Sequence, residues 1–172
     1  MVSQSFLDEL AEEIGKDPID FRLELLERAK SNPVGEKNDY DPDRYAGVLE
    51  LVREKSDWAN TPLNTHRGVA AYYCHNSYSA QVVELKMEDE PSVQSVCCAL
   101  DCGIVINPSI VTAQISGAII YGLSATLKSK ITIKNGRVSQ NNFDDFEVIR
   151  MNETPEIHVY LIESDEPPSG VG

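Results

Sequence analysis

The most informative stretch of this chain surrounds Gln114, where small residues recur in a pattern that a helix keeps only at a cost. Gly117 and Gly122 follow it at helical spacing, with Ser116, Ala118, Ser124 and Ala125 beside them. An interior helical glycine costs about 1 kcal/mol against alanine, so two of them point to a face where another backbone or a ligand comes close. Gln114, one turn before Gly117, puts an amide, which both donates and accepts hydrogen bonds, on or near that face. The closing string Glu166-Pro167-Pro168-Ser169-Gly170-Val171-Gly172 is a rigid turn followed by two glycines, which by itself reads as an ordinary loop.

Other chemistry is excluded by spacing. Cys74, Cys97, Cys98 and Cys102 form no Cys-x-x-Cys pair and no cysteine–histidine ligand cluster. Cys97 and Cys98 are neighbours in an apolar run, so on a strand they point to opposite faces and serve as small buried hydrophobes rather than joint ligands. Iron–sulfur clusters need several converging thiolates, which this set does not offer. His66, His75 and His158 share no ligand spacing. Nucleophile elbows, phosphate loops and dinucleotide fingerprints are missing from the sequence, so hydrolase, nucleotidase and nicotinamide readings lack support.

The elements that must position Gln114 and the diglycine bend are legible from period and punctuation. Phe6, Leu7, Leu10, Ala11 and Ile14 recur at helical spacing, with Ser5 and Asp8 placed like a capping box. Asp17-Pro18 and Asp41-Pro42 are each an N-cap followed by a first-turn proline, and they open two more amphipathic helices. Residues 31–40 are rich in breakers and read as a loop. From residue 66 the period changes. Gly68–Cys74, Ser79–Met87, Val93–Leu100, Ser129–Ile133, Val138–Gln140 and Ile157–Ile162 read as strands, with Asn135-Gly136 as a two-residue hairpin turn. Asn107-Pro108 opens one long glycine-containing helix reaching about Leu127. Helices first, then a mostly antiparallel or mixed sheet with one long helix, makes the fold α+β. The expected division is a helical segment over 1–60 and an α+β segment over 61–172.

At 172 residues the chain can bury one good core. Its 15 basic and 28 acidic residues leave a formal charge of −13, which repels phosphate backbones and makes nucleic acid an unfavoured partner. No stretch of about 18 apolar residues is read, so no membrane span is expected. No signal peptide is visible, and localisation, cytoplasmic or periplasmic, stays open.

The order of the motifs resembles a known family. Asp101-Cys102-Gly103, then Asn107-Pro108, then Gln114-x-x-Gly117-x4-Gly122, then Pro167-Pro168-x-Gly170-x-Gly172 is similar to the molybdenum-binding subunit of the xanthine dehydrogenase and aldehyde oxidase family. Within it, the isoquinoline 1-oxidoreductase group is suggested by Ser5-Phe6-Leu7-Asp8-Glu9-Leu10-Ala11, Gly15-Lys16-Asp17-Pro18 with Phe21-Arg22-Leu23, and Gln140-Asn141-Asn142-Phe143 with Ile149-Arg150-Met151. The resemblance covers nearly the whole chain except residues 31–43. It implies a molybdenum hydroxylase that oxidises N-heteroaromatic compounds or aldehydes with water as oxygen donor. It further implies molybdopterin, in the cytosine dinucleotide form, as cofactor, with metal-sulfur ligands supplied by the pterin. A small iron–sulfur subunit and an electron acceptor are the implied partners, beside a small-molecule substrate.

Carried over by position, Gln114, Gly117, Gly170, Val171 and Gly172 are the implied cofactor-binding residues, with Gly117 and Gly122 serving close packing. Asp101, Gly103, Asn107 and Pro108 look architectural, and Asn141-Asn142-Phe143 and Arg150 are expected in loops and subunit contacts. No catalytic residue is assigned within the chain. The resemblance places the catalytic glutamate directly after Gly172, so the chain reads as a piece of a longer subunit, inactive and cofactor-free by itself. The alternative is a non-catalytic α+β scaffold that keeps the fold without cofactor. Ala118, where relatives often carry a second glycine, and the Cys97-Cys98 pair are the departures that favour it.

Overall fold

The computed structural model describes residues 2–33, 35 and 39–171. Three helices come first: α1 (Val2–Glu13), α2 (Pro18–Ser31) and α3 (Pro42–Lys55). Both Asp-Pro signals act as read. The Asp17 carboxylate accepts from the amides of Ile19 and Asp20, the Asp41 carboxylate from those of Asp43 and Arg44, and each proline occupies the first turn. The capping box read at Ser5 is corrected. Helix α1 already begins at Val2, so Ser5 lies within it, and Asp8 instead pairs with the buried guanidinium of Arg22 at 2.7 Å.

Strands β1 (His66–Cys74), β2 (Ser77–Met87) and β3 (Pro91–Asp101) form an antiparallel meander, broken only by an irregularity between Glu84 and Leu85. Helix α4 (Pro108–Leu127), a small hairpin of β4 (Ile133–Lys134) and β5 (Arg137–Val138), and a 3-10 turn at Met151–Glu153 then lead to β6 (Glu156–Leu161). Strand β6 pairs parallel to β3, giving the mixed sheet order β1-β2-β3-β6. This is the α+β class the sequence implied.

The alternation along β3 builds two cores. Cys97 and Ala99 face α2 and α3, in a cluster with Ile19, Leu26, Val48, Leu49 and Val52, while Val96, Cys98 and Leu100 face α4 through Ile115 and Ile119. The adjacent cysteines therefore occupy opposite cores and are both buried. Burial raises both thiols, Cys97 to about 11. They behave as small hydrophobes.

Two sequence expectations need correction. The strands over 129–133 and 138–140 shrink to the two-residue β4 and β5, although Asn135 (φ 52°) and Gly136 (φ 75°) do make the left-handed hairpin turn. Beyond the two short strands one more backbone bond is made, Ser139 N–H to Thr132 O at 2.8 Å, and the Thr132 amide is taken by a side chain, Gln140 Oε1 at 2.8 Å. The expectation of no long apolar stretch also fails, because Pro108–Leu127 has the length and composition to cross a membrane, with mean hydropathy 1.5 over its window. In the structure it lies on the sheet, with Ile115 and Ile119 in the core.

Candidate functional site

The turn Asp101-Cys102-Gly103 ends β3 and anchors the candidate site. Asp101 is 2% exposed and needs a cation, which Arg44 supplies from the first turn of α3. The pairing is two-pronged, Arg44 Nε to Oδ2 at 2.8 Å and NH2 to Oδ1 at 2.6 Å. The Gly103 amide donates to Asp101 Oδ1 at 3.0 Å. Burial by itself pushes the Asp101 carboxyl up, but the Arg44 hydrogen bonds, the Gly103 amide and the Arg44 charge together hold it below the usual carboxylate range. Arg44 also lies 4.7 Å over the Tyr78 ring, whose hydroxyl accepts the Asp41 amide at 2.8 Å. One network thus ties the start of α3, strand β2 and the end of β3.

Gly103 is required there. Its φ is 71°, and a β-carbon would stand 2.2 Å from the Pro167 carbonyl oxygen, inside any tolerable contact. The two segments are stitched by Ile104 N–H to Glu166 O and Ser169 N–H to Cys102 O, both 2.9 Å. The segment after Pro167 is then held from the other side by the β1–β2 turn. Ser77 Oγ lies 2.8 Å from Ser169 Oγ and donates to the Gly170 carbonyl at 2.5 Å, while Ser169 Oγ donates to the Asn76 carbonyl at 3.1 Å. Val171 packs into the core that holds Cys102, Val111 and Ile115. Gly172 lies outside the described residues.

Helix α4 is capped by Asn107, whose side chain accepts the Ile110 amide at 3.2 Å, and Pro108 starts it. Its 3.6-residue period turns Ile115 and Ile119 to the sheet, so Gln114, Gly117, Ala118, Tyr121, Gly122 and Ala125 fall on the outer side, all exposed. Nothing lies within 4 Å of where β-carbons would stand at Gly117 and Gly122. The helix therefore presents bare backbone outward, with the Gln114 amide one turn away. Ser124 is buried instead; its hydroxyl donates to the Ile120 carbonyl and accepts the Ile149 amide at 3.1 Å.

The structure thus gathers Gly170 and Val171 with the Asp101–Gly103 turn, and joins them to α4 through the side chains of Val111 and Ile115. Gln114 and Gly117 share the exposed face of that helix, next to its core-facing side. Asn141 and Asn142 lie in a loop closed on the Asp145 carboxylate, and Phe143 and Met151 project from the surface. Sequence reasoning passed over Arg44, Ser77 and Ser169. A basic residue in a helix's first turn opposes the helix dipole, and that was the one local signal that Arg44 has an acidic partner elsewhere. Ser77 and Ser169 gave none. Among the described residues, no group of three or more histidine, cysteine, aspartate or glutamate side chains converges to hold a metal ion.

Comparison with known proteins bears on the same region. Residues 28–155 match the model of the molybdopterin cofactor-binding domain. The chain is 35% identical over 175 residues to the beta subunit of isoquinoline 1-oxidoreductase from Brevundimonas diminuta, covering 98% of this chain and 21% of that protein. It is 30% identical over 184 residues to a membrane-bound aldehyde dehydrogenase (pyrroloquinoline-quinone) of Gluconacetobacter polyoxogenes, covering 98% and 23%. The chain thus spans about a fifth of the length of these curated relatives. A Cu,Mo-CO dehydrogenase in its carbon monoxide reduced state shares the fold, with TM-score 0.50 and 21% identity over 54% of this chain and 12% of that one.

Proposed function

We propose a function from one premise: this chain belongs to the molybdopterin cofactor-binding domain family. In the whole protein it forms part of the cofactor wall of a molybdenum hydroxylase, an oxidoreductase acting on N-heteroaromatic compounds or aldehydes with water as oxygen donor. The observation that carries this reading is the outer face of α4, where Gly117 and Gly122 leave backbone open with nothing within 4 Å of a β-carbon position. Helix backbone left open in this way lets a large flat group approach closely.

When bound, the molybdenum–pterin group supplies the two-electron redox centre for oxidising the substrate carbon. The chain's own residues bind and orient. Gln114 offers an amide that can donate to and accept from the pterin edge, and Gly117 admits the group against the helix backbone. Gly170 and Val171, positioned by Ser77, Ser169 and the Asp101–Gly103 turn, form the second wall, and Gly172 is assigned to it by its place in the motif alone. The dinucleotide form is cytosine in this reading, and electrons leave to a small iron–sulfur subunit and then an acceptor. A partner of some kind is supported by relatives that are themselves named as subunits, among them one from the nicotinate dehydrogenase of Pseudomonas putida. The isolated chain, with only part of the wall, carries no cofactor and no activity.

The test is metal and cofactor analysis of the full-length parent, expressed in a host that makes molybdopterin, together with oxidation of isoquinoline or an aldehyde in oxygen-18 water. Molybdenum, pterin and label in the product are expected. A parent with neither molybdenum nor pterin refutes the reading and leaves the scaffold alternative. The Gluconacetobacter relative carries a quinone in its name, so extraction of pyrroloquinoline-quinone in place of pterin would also overturn it.

A further inference from the structure

The sheet order β1-β2-β3-β6 leaves β1 and β6 at its two edges, and an edge strand presents backbone donors and acceptors that are either covered or open to another strand. The edge of β1 is covered by side chains. Gln4 Oε1 accepts the Ala71 amide at 3.2 Å, and Arg22 NH2 donates to the Val69 carbonyl at 3.4 Å. The edge of β6 is built differently. Ile162 N–H donates inward to Leu100 O at 2.8 Å, so by the alternation of a strand the N–H and C=O groups of Ile157, Val159 and Leu161 point away from β3. Among the described residues, no strand and no side chain is hydrogen-bonded to those groups. The side chains of the same three residues pack into the core under α4, which holds the strand in place while its outer backbone stays open.

Charge decides what fits this edge. Residues 156–166 carry Glu156, Glu163, Asp165 and Glu166, all exposed, and no lysine or arginine. His158 lies 3.6 Å from Glu156, and Lys55, over the Tyr160 ring, is already held by Glu54 at 2.8 Å. A second copy pairing edge to edge would bring two such acidic rows together, which repels. An extended segment bearing lysine or arginine is attracted instead. We propose that the outer edge of β6 is a docking site for an extended basic segment of a partner protein, which joins the sheet as a fifth strand. Its backbone pairs with Ile157, Val159 and Leu161, and its cations meet Glu156, Glu163 and Asp165. The inference makes no use of molybdopterin and stands or falls apart from it.

The probe is a short synthetic peptide of alternating valine and threonine with lysines at both ends, set beside a counterpart ending in glutamates. Amide hydrogen exchange is followed in the chain and in the full-length parent. With the lysine peptide, exchange at Val159 and Leu161 should slow roughly tenfold, while the glutamate peptide leaves it unchanged; the difference should shrink as salt rises. Val159→Pro removes an outward N–H without touching the ladder to β3, so it should abolish the protection. Glu156→Lys combined with Glu163→Lys, which leaves the strand itself intact, should transfer the preference to the glutamate peptide. Equal protection by both peptides, or by neither, overturns the proposal. Protection that rises with chain concentration alone gives the edge to a second copy, and protection already complete in the peptide-free parent gives it to the parent's own chain; either result overturns the proposal as well.

Discussion

Asp101 shows how far a single side chain reaches in this fold. Its carboxylate holds Arg44 and the Gly103 amide at once, and both partners of the ion pair are largely shielded from water. Replacing it in Asp101→Asn leaves a half-buried guanidinium without its counter-charge, and urea unfolding should show a loss of about 2 to 3 kcal/mol. The pH dependence has a fixed sign. The folded carboxyl titrates below its ordinary value of 3.8, so its stabilisation is complete above that value and is lost as pH falls through the lower folded one. Urea midpoints followed from neutral pH into acid should fall less steeply for Asp101→Asn than for wild type. Gly103→Ala is more severe. It combines a left-handed penalty of about 1 to 2 kcal/mol with a β-carbon driven into the Pro167 carbonyl, so faster hydrogen exchange at Ile104 and Ser169 is expected alongside lower stability. These residues show why the site was only partly readable: Arg44 and Asp101 lie 57 positions apart, and no local pattern reports such a pairing.

At the scale of elements, punctuation was legible and pairing was not. Asp17-Pro18, Asp41-Pro42 and Asn107-Pro108 each set a helix start by contacts within four residues, which is why all three are found where the sequence places them. The strands around the Asn135-Gly136 turn were overextended because an apolar run says nothing about whether a partner continues. There the Thr132 amide is taken by the Gln140 side chain. Helix α4 shows a further gap: its composition passes for a membrane span, and only its packing reveals that Ile115 and Ile119 have a sheet to cover. Its glycines then make a two-sided prediction. Because nothing lies near their missing β-carbons, Gly117→Ala should stabilise the isolated chain by about 0.5 to 1 kcal/mol in urea unfolding. A loss of stability would mean that this face is already packed.

For the molecule as a whole, the chain has a complete two-sided core yet leaves large apolar side chains in water, Ile106, Ile110, Tyr121, Phe143 and Met151 among them. The curated relatives are about five times as long as this chain, and an apolar surface of that kind fits the proposal that further protein covers it. The isolated chain should therefore self-associate despite its charge of −13, and sedimentation at rising concentration should show species larger than the monomer; a strict monomer throughout would argue that these side chains have no covering partner. The measurement closest to the central claim is the molybdenum-to-protein ratio of the full-length parent, compared between wild type and Gly117→Leu. We expect a loaded wild type and a folded variant depleted several-fold in molybdenum and pterin. Equal loading of the two would contradict the assignment of the α4 face to the cofactor.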